Sequence, residues 1–325
     1  MSSDRYVYMN GELVPEREAK LSIYDSSLMF GDMVFEMTRS FNKQQFKLRE
    51  HLKRLYAGIK IFRIPVEMSI DDMEKACLET IEANDSVFED DDEHRLMIDV
   101  TRGLLGIYQG IQGVKKGSNV VIADFPLRWT VVGMGKLFSM GINAVITSQR
   151  AIPAHLLEPK VKNRSRIHYL MANIEASACE GENNWALLLD PDGFVAEGTG
   201  DNFFIISGNT VITPEGRNIL RGISREYVMS VLAPQTGLDV LETNIEPYDV
   251  YTADEAFMTG TPFCMLPVTR LNGLPIAGGK VGPIFERLLQ QWTENVGVDI
   301  KNQIISWNTS KVSTPDSSTP YQFRR

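Results

Sequence analysis

Residues 160–204 constrain this chain more than any other stretch: KVKNRSRIHYLMANIEASACEGENNWALLLDPDGFVAEGTGDNFF. Apolar residues at Ile167, Leu170, Met171, Ile174 and Ala178 recur at the spacing of one helix face. WALLLD at 185–190 is a short apolar run with strand character. Pro191, Asp192 and Gly193 make a turn, and FVAE begins a return strand. The glycine-rich EGTG then hands over to a further strand, DNFFIIS. Lys162 therefore stands just before a helix, and Glu197 ends a strand of the hairpin that follows.

That pairing has chemical uses. A lysine amine forms a Schiff base with a carbonyl when its surroundings keep it partly neutral. A carboxylate facing a pyridine nitrogen keeps the ring protonated and electron-withdrawing. These are the two protein groups that pyridoxal phosphate needs. A lone Lys and a lone Glu are more often solvated surface, so the pair alone decides nothing.

The order of linked motifs is more specific. Val161-Lys162, then Glu175-Ala176 ending a helix, then Asp190 and Gly193 of a D-x-x-G turn, then Glu197, Gly198, Asn202 and Phe204 of E-G-x-x-x-N-x-F follow one another. In this the chain resembles the class IV aminotransferases, the fold-type IV group of pyridoxal-phosphate enzymes, over roughly residues 6–295. The resemblance implies a mixed α+β / α/β chain of two domains, with the cofactor in the cleft between them. It also implies a homodimer with both subunits contributing to the site. On that pattern Lys162 is the Schiff-base and proton-moving residue, with Lys160 as its rival, and Glu197 serves the ring nitrogen. The expected boundaries are a smaller N-terminal α/β domain at 1–125, an interdomain loop at 126–137 and a larger cofactor-binding domain at 138–305. A disordered Ser/Pro/Thr-rich tail is expected at 306–325.

Taken in order, the rest of the chain fills in that plan. Asn10-Gly11 marks a hairpin turn. Residues 27–48 carry apolar and aromatic residues suited to a sheet, with a turn near Asn42. Phe30, Gly31, Val34, Phe35 and Glu36 match the family's [YF]-G-x-x-[VL]-[FY]-E block. The resemblance therefore puts Phe30, Phe35 and Met37 on the substrate-pocket wall, Met37 standing where branched-chain enzymes usually have Gly. Residues 49–64 read as a helix with Leu52, Leu55, Ile59 and Phe62 on one face. Arg54 fills the arginine of E-H-x-x-R-L, which implies a phosphate ligand; its planar fork suits two phosphate oxygens. A second helix is expected at 69–84, and the acidic EDDDE at 89–93 reads as a solvated charge run. Gly222 precedes a further helix with Ser224 as a good start residue, a place where backbone N–H groups bind phosphate. By position, the family pattern gives Ile223, Ser224 and Thr261 to the cofactor phosphate. Pro262 falls at the cofactor's edge, near the substrate carboxylate.

Composition supplies exclusions. A net charge of −9 without a basic run argues against nucleic acid. The three cysteines, Cys77, Cys179 and Cys264, are widely spaced, form no metal cluster and suggest a reducing compartment. No apolar run reaches about 18 residues, so neither export nor a membrane span is expected, and the chain reads as cytoplasmic. No metal is expected. The implied activity is transfer of an amino group from an apolar, L-branched-chain amino acid to a 2-oxo acid such as 2-oxoglutarate. A D-amino-acid or (R)-amine aminotransferase is the alternative, although no Arg and His follow Thr101-Arg102-Gly103 as in D-amino-acid enzymes. Aminodeoxychorismate lyase ranks lower, since it needs Thr where this chain has Glu36-Met37.

Overall fold

The computed structural model describes residues 4–307. It is a mixed α/β chain that divides into two compact units. The first takes Met1–Leu127 together with Val161–Arg166, and the second takes Arg128–Lys160 together with Ile167–Arg325.

The first unit is built on a five-stranded antiparallel sheet in the order Glu12–Pro15, Tyr6–Met9, Asn119–Pro126, His94–Thr101, Met33–Met37. The opening hairpin turns at Asn10 and Gly11, both at positive φ (56° and 105°), as a two-residue loop requires. Helices Leu48–Phe62 and Ile70–Asn84 supply the other wall of the core. Leu52, Leu55, Ile59, Met73 and Cys77 meet Val34, Leu96, Ile98 and Ile122 there. Ser69 and Asp72 form a capping box that starts the second helix.

Two expectations for this unit change. Ser26–Phe30 is a helical turn and not a strand, because Asp25 caps it by accepting from the Ser27 N–H, and Gly31 closes it at φ 66°. The acidic run is not wholly solvated. Glu93 is buried and accepts from the Ser40 hydroxyl at 2.5 Å, the Asn42 N–H at 2.8 Å and the Lys43 N–H at 3.0 Å, so it holds the small hairpin of Ser40–Phe41 and Gln44–Gln45.

In the second unit the strands run in the order Val195–Gly198, Asn184–Leu189, Ile142–Arg150, Cys264–Leu271, Glu255–Gly260, Asn202–Ser207, Thr210–Pro214, Asp239–Thr243. Glu197 also pairs with Asn202, so the first six of these close on themselves as a ring. Ile142–Arg150 and Asn184–Leu189 are parallel, and helix Ile167–Ala178 crosses between them. That helix turns Tyr169, Ala172, Asn173 and Ala176 inward. The apolar row noted in the sequence lies outside: Ile167 is 68% exposed, Met171 45%, Ile174 38% and Leu170 37%.

The stretch at 126–137 is not an open loop, since helical turns occupy Arg128–Val131 and Val132–Met134 and another starts at Leu137. The last helix, Ile300–Trp307, passes the expected boundary at 305, and the remainder of the 306–325 segment lies outside the described residues.

Candidate active site

The lysine segment is strapped to the first unit's edge strand. The Phe35 N–H donates to the Lys162 carbonyl at 2.9 Å, and Val34 bridges Asn163 in antiparallel fashion. Val161 joins the core of that unit, against Val34 and the helix at Gly58. A Cβ at Gly58 would stand 3.1 Å from Val34 and 3.3 Å from Val161, so the strap needs a small residue there. Asn163 fixes the bend, its amide donating to Val161 O at 3.1 Å and its carbonyl accepting the Ser165 N–H at 2.9 Å.

Lys162 places its Nζ 4.6 Å from the centroid of the Phe35 ring. Its residue keeps some exposure, yet its amine is ringed by neighbours. Burial first, and then the Arg166 guanidinium, hold it well below the ordinary lysine range. Arg54 and Arg164 add to the effect, and Glu36 opposes it. An amine shifted in that direction is unprotonated more often than an ordinary lysine, and so is a better nucleophile and proton acceptor. Lys160 is differently placed. It belongs to the second unit, pairs with Glu158 at 2.6 Å and donates to Arg217 O at 3.2 Å.

Successive strand residues face opposite ways, so Glu36 points away from the Phe35 side. It is fully buried and receives Arg54 on two nitrogens, Nε at 2.5 Å and Nη2 at 2.8 Å, and the His51 Nδ1 at 2.8 Å. Burial would raise its carboxyl, but Arg54 and then His51 outweigh it and hold it well below the usual carboxylate range. His51 itself is pushed down by burial, so it serves as a neutral donor. Neither Glu36 nor His51 had a role assigned from the sequence. The signal was present: His51 and Arg54 are three apart on one helix face, opposite a carboxylate that alternates with buried apolar residues.

Glu197 is the corresponding fixed group of the second unit. Its Oε1 accepts from the Tyr169 hydroxyl at 2.6 Å, and its Oε2 accepts from the Asn202 amide at 3.1 Å and the Leu220 N–H at 3.0 Å. Asp201, also buried, is pushed up to about 8 by burial and then by the Glu197 charge. Its Oδ1 and the Thr259 hydroxyl are buried polar atoms without hydrogen-bond partners, and Thr259 faces Asn202 across the ladder. Gly198 and Gly222 are required here. A Cβ at the first would lie 2.0 Å from Asp201 Oδ1, and at the second 2.1 Å from Asn202 Oδ1. Gly222, not Ser224, is the N-cap of the helical run that starts at Ile223, and no side chain caps it. Ile223 and Ser224 thus sit in a first turn whose backbone N–H groups lack helical partners. Thr261 and Pro262 form the turn between Glu255–Gly260 and Cys264–Leu271. Sequence reasoning gave Tyr169 and Asp201 no part.

The expected substrate wall is divided. Phe35 is buried beside Lys162, Met37 accepts from Arg95 Nη2 at 3.6 Å, and Phe30 is 66% exposed on its helical turn. Among the described residues no group of His, Cys, Asp and Glu has the arrangement of a metal site, and no helix is long and apolar enough to cross a membrane.

The residue types in each unit suit pyridoxal phosphate. The first unit offers a lysine amine held toward neutrality and a half-buried arginine, and the second offers a fixed buried carboxylate and an uncapped helical first turn. Comparison with known proteins agrees. The family model for amino-transferase class IV matches residues 33–271. A Methanocaldococcus jannaschii protein is 35% identical over 290 residues, covering 89% of this chain and 95% of its own. The Escherichia coli branched-chain-amino-acid aminotransferase is 30% identical over 295 residues, covering 88% and 91%. The Thermobaculum terrenum branched-chain amino acid aminotransferase in its PLP form superposes with TM-score 0.78 at 25% identity, covering 94% of this chain and 98% of that one.

Proposed function

The chain belongs to the class IV aminotransferases, and from that premise we propose that it moves an amino group from L-leucine, L-isoleucine or L-valine to 2-oxoglutarate. The observation that carries this reading is the Lys162 amine, desolvated and flanked by arginines against Phe35. The names of the relatives support the branched-chain donor. When bound, pyridoxal phosphate supplies an electron sink for the charge that develops on the substrate α-carbon. Lys162 Nζ holds the cofactor and then carries the α-proton. The Glu197 carboxylate, kept in one orientation by Tyr169 and Asn202, would serve the ring nitrogen. Arg54, positioned by Glu36, serves the phosphate, together with the backbone at Ile223 and Ser224 and with Thr261. Phe35, Met37, Phe30 and Pro262 border the substrate. The protein works in the cytoplasm as a homodimer, a reading the exposed apolar row on helix Ile167–Ala178 supports.

Half-reactions test it. The enzyme loaded with pyridoxal phosphate is mixed with single amino donors, and conversion to the pyridoxamine form is followed by absorbance. L-leucine, L-isoleucine or L-valine is expected to convert it fastest. Faster conversion by D-alanine or an (R)-amine removes the substrate assignment while leaving the aminotransferase.

A further inference from the structure

The lysine strap carries a repeated pattern that its motif does not explain. Lys162, Arg164 and Arg166 alternate in sequence along the bent strap. All three cations converge on the same ring. Arg164 Cζ lies 3.7 Å from the Phe35 centroid, Lys162 Nζ 4.6 Å and Arg166 Cζ 5.5 Å. No two of these charges are therefore further apart than the sum of their distances to that centroid, a span a small diacid bridges. The intervening residues face elsewhere and hold the backbone, Asn163 through its own turn and Ser165 by donating to Phe30 O at 3.0 Å. Arg166 is steadied by its Nε donating to Asn163 O at 2.7 Å. Arg164 reaches Asp99 Oδ1 at 3.2 Å, and Asp99 stands directly across the ladder from Phe35.

Like charges gathered around one aromatic ring repel, and an added anion among them relieves that repulsion. Burial first, and then the charge of Arg166 with that of Arg164, depresses the Lys162 amine. Asp99 is a weak counterweight, because burial pushes its own carboxyl up. Aminotransfer adds a demand of its own. One site must accept an apolar side chain and an acidic one in turn. Phe35 offers an apolar face to the first, and arginine forks offer paired donors to the second.

We propose that Arg164 and Arg166 bind the side-chain carboxylate of the dicarboxylic substrate, with Phe35 as the platform that both kinds of substrate share. This rests on Lys162 being the reacting lysine. Arg164 exchanges its bond to Asp99 for the incoming carboxylate, and with an apolar substrate it stays on Asp99. The two arginines thereby set specificity at the side chain, not at the α-carboxylate common to every substrate.

The test compares Arg164→Gln, Arg166→Gln and the double variant with wild type, each loaded with pyridoxal phosphate. In the half-reactions, the concentration of L-glutamate giving half the limiting rate is expected to rise about tenfold or more in each single variant. That for L-leucine is expected to change much less than that for L-glutamate. Calorimetry with two unreactive acids provides a second readout. Glutarate is expected to bind wild type and to lose about tenfold in the variants, while 4-methylpentanoate binds all of them alike. Equal losses for glutamate and leucine overturn the proposal in favour of α-carboxylate binding or of tuning Lys162 alone. Unchanged glutamate kinetics, or wild type that binds no glutarate, also overturn it. If no amino acid converts the bound cofactor, the aminotransferase reading itself fails, an outcome distinct from these.

Discussion

Folding shifts the titration of Lys162 and Asp201 and ties the Glu197 carboxylate into hydrogen bonds, and each of the three makes a prediction. Lys162 is held well below the ordinary lysine range by burial and Arg166. Between that lowered value and about 10.4 the unfolded chain binds the extra proton, so this residue destabilises the cofactor-free protein fully below the lowered value and less and less as pH rises toward about 10.4. Lys162→Met is therefore expected to abolish turnover yet raise the melting temperature at pH 7, with the gain shrinking toward pH 10. Lys160→Met, which breaks the pair with Glu158 and the bond to Arg217 O, is expected to keep activity; the reverse pattern moves the reacting lysine to Lys160. Asp201 has the opposite sign. Its carboxyl is raised to about 8, so the folded state holds a proton that the unfolded state sheds above about 4. Stability from this group falls as pH climbs from about 4 to 8. Asp201→Asn is expected to match wild type near pH 5 and to exceed it at pH 9 in thermal melts. Glu197→Gln keeps the shape of the side chain but removes the charge and one of its two accepting oxygens. It is expected to lower kcat by orders of magnitude with folding intact, and near-normal turnover sinks the ring-nitrogen role.

At the scale of elements, helix Leu48–Phe62 and strand Met33–Met37 are joined by Glu36, His51 and Arg54. Arg54→Ala leaves a fully buried carboxylate without its main partner, which costs about 3–5 kcal/mol. Two losses are thus expected from one change, a lower urea midpoint and a cofactor dissociation constant raised about ten- to hundredfold. Cofactor binding that is unaffected removes Arg54 from the phosphate and leaves it a structural partner of Glu36. Much of this element level was legible in the sequence. The Asn10-Gly11 hairpin, the two helices and the strand–turn–strand around Pro191 follow from turn chemistry and periodicity. What escaped reading depended on partners far along the chain. Glu93 looked solvated because the donors it accepts from, Ser40, Asn42 and Lys43, lie some fifty residues away. Ser224 looked like a helix start, but Asn202 leaves room only for Gly at 222 and shifts the cap to it. Periodicity found the apolar row on helix Ile167–Ala178 and could not say which way it faces. Ala172 and Ala176 take the inward side together with Tyr169 and Asn173, whose polar groups reach Glu197 and Thr199.

For the whole molecule, that row is where self-association is expected. Met171→Glu with Ile174→Glu should shift the protein toward monomer in sedimentation velocity at micromolar concentration, while each chain remains folded; an unchanged dimer would place the contact elsewhere. Another consequence follows from the strap at Val161–Arg166. The first unit is completed by six residues that are made only after a further stretch of the second unit has been synthesised. A ribosome that has released Met1–Leu127 has delivered the sheet and both helices but not Val161, which closes the core beside Val34 and Gly58. Contacts this distant in sequence form late and slow folding. The reacting lysine thus reaches its place as the last piece of a unit begun at the other end of the chain, and chemistry waits on the order of assembly.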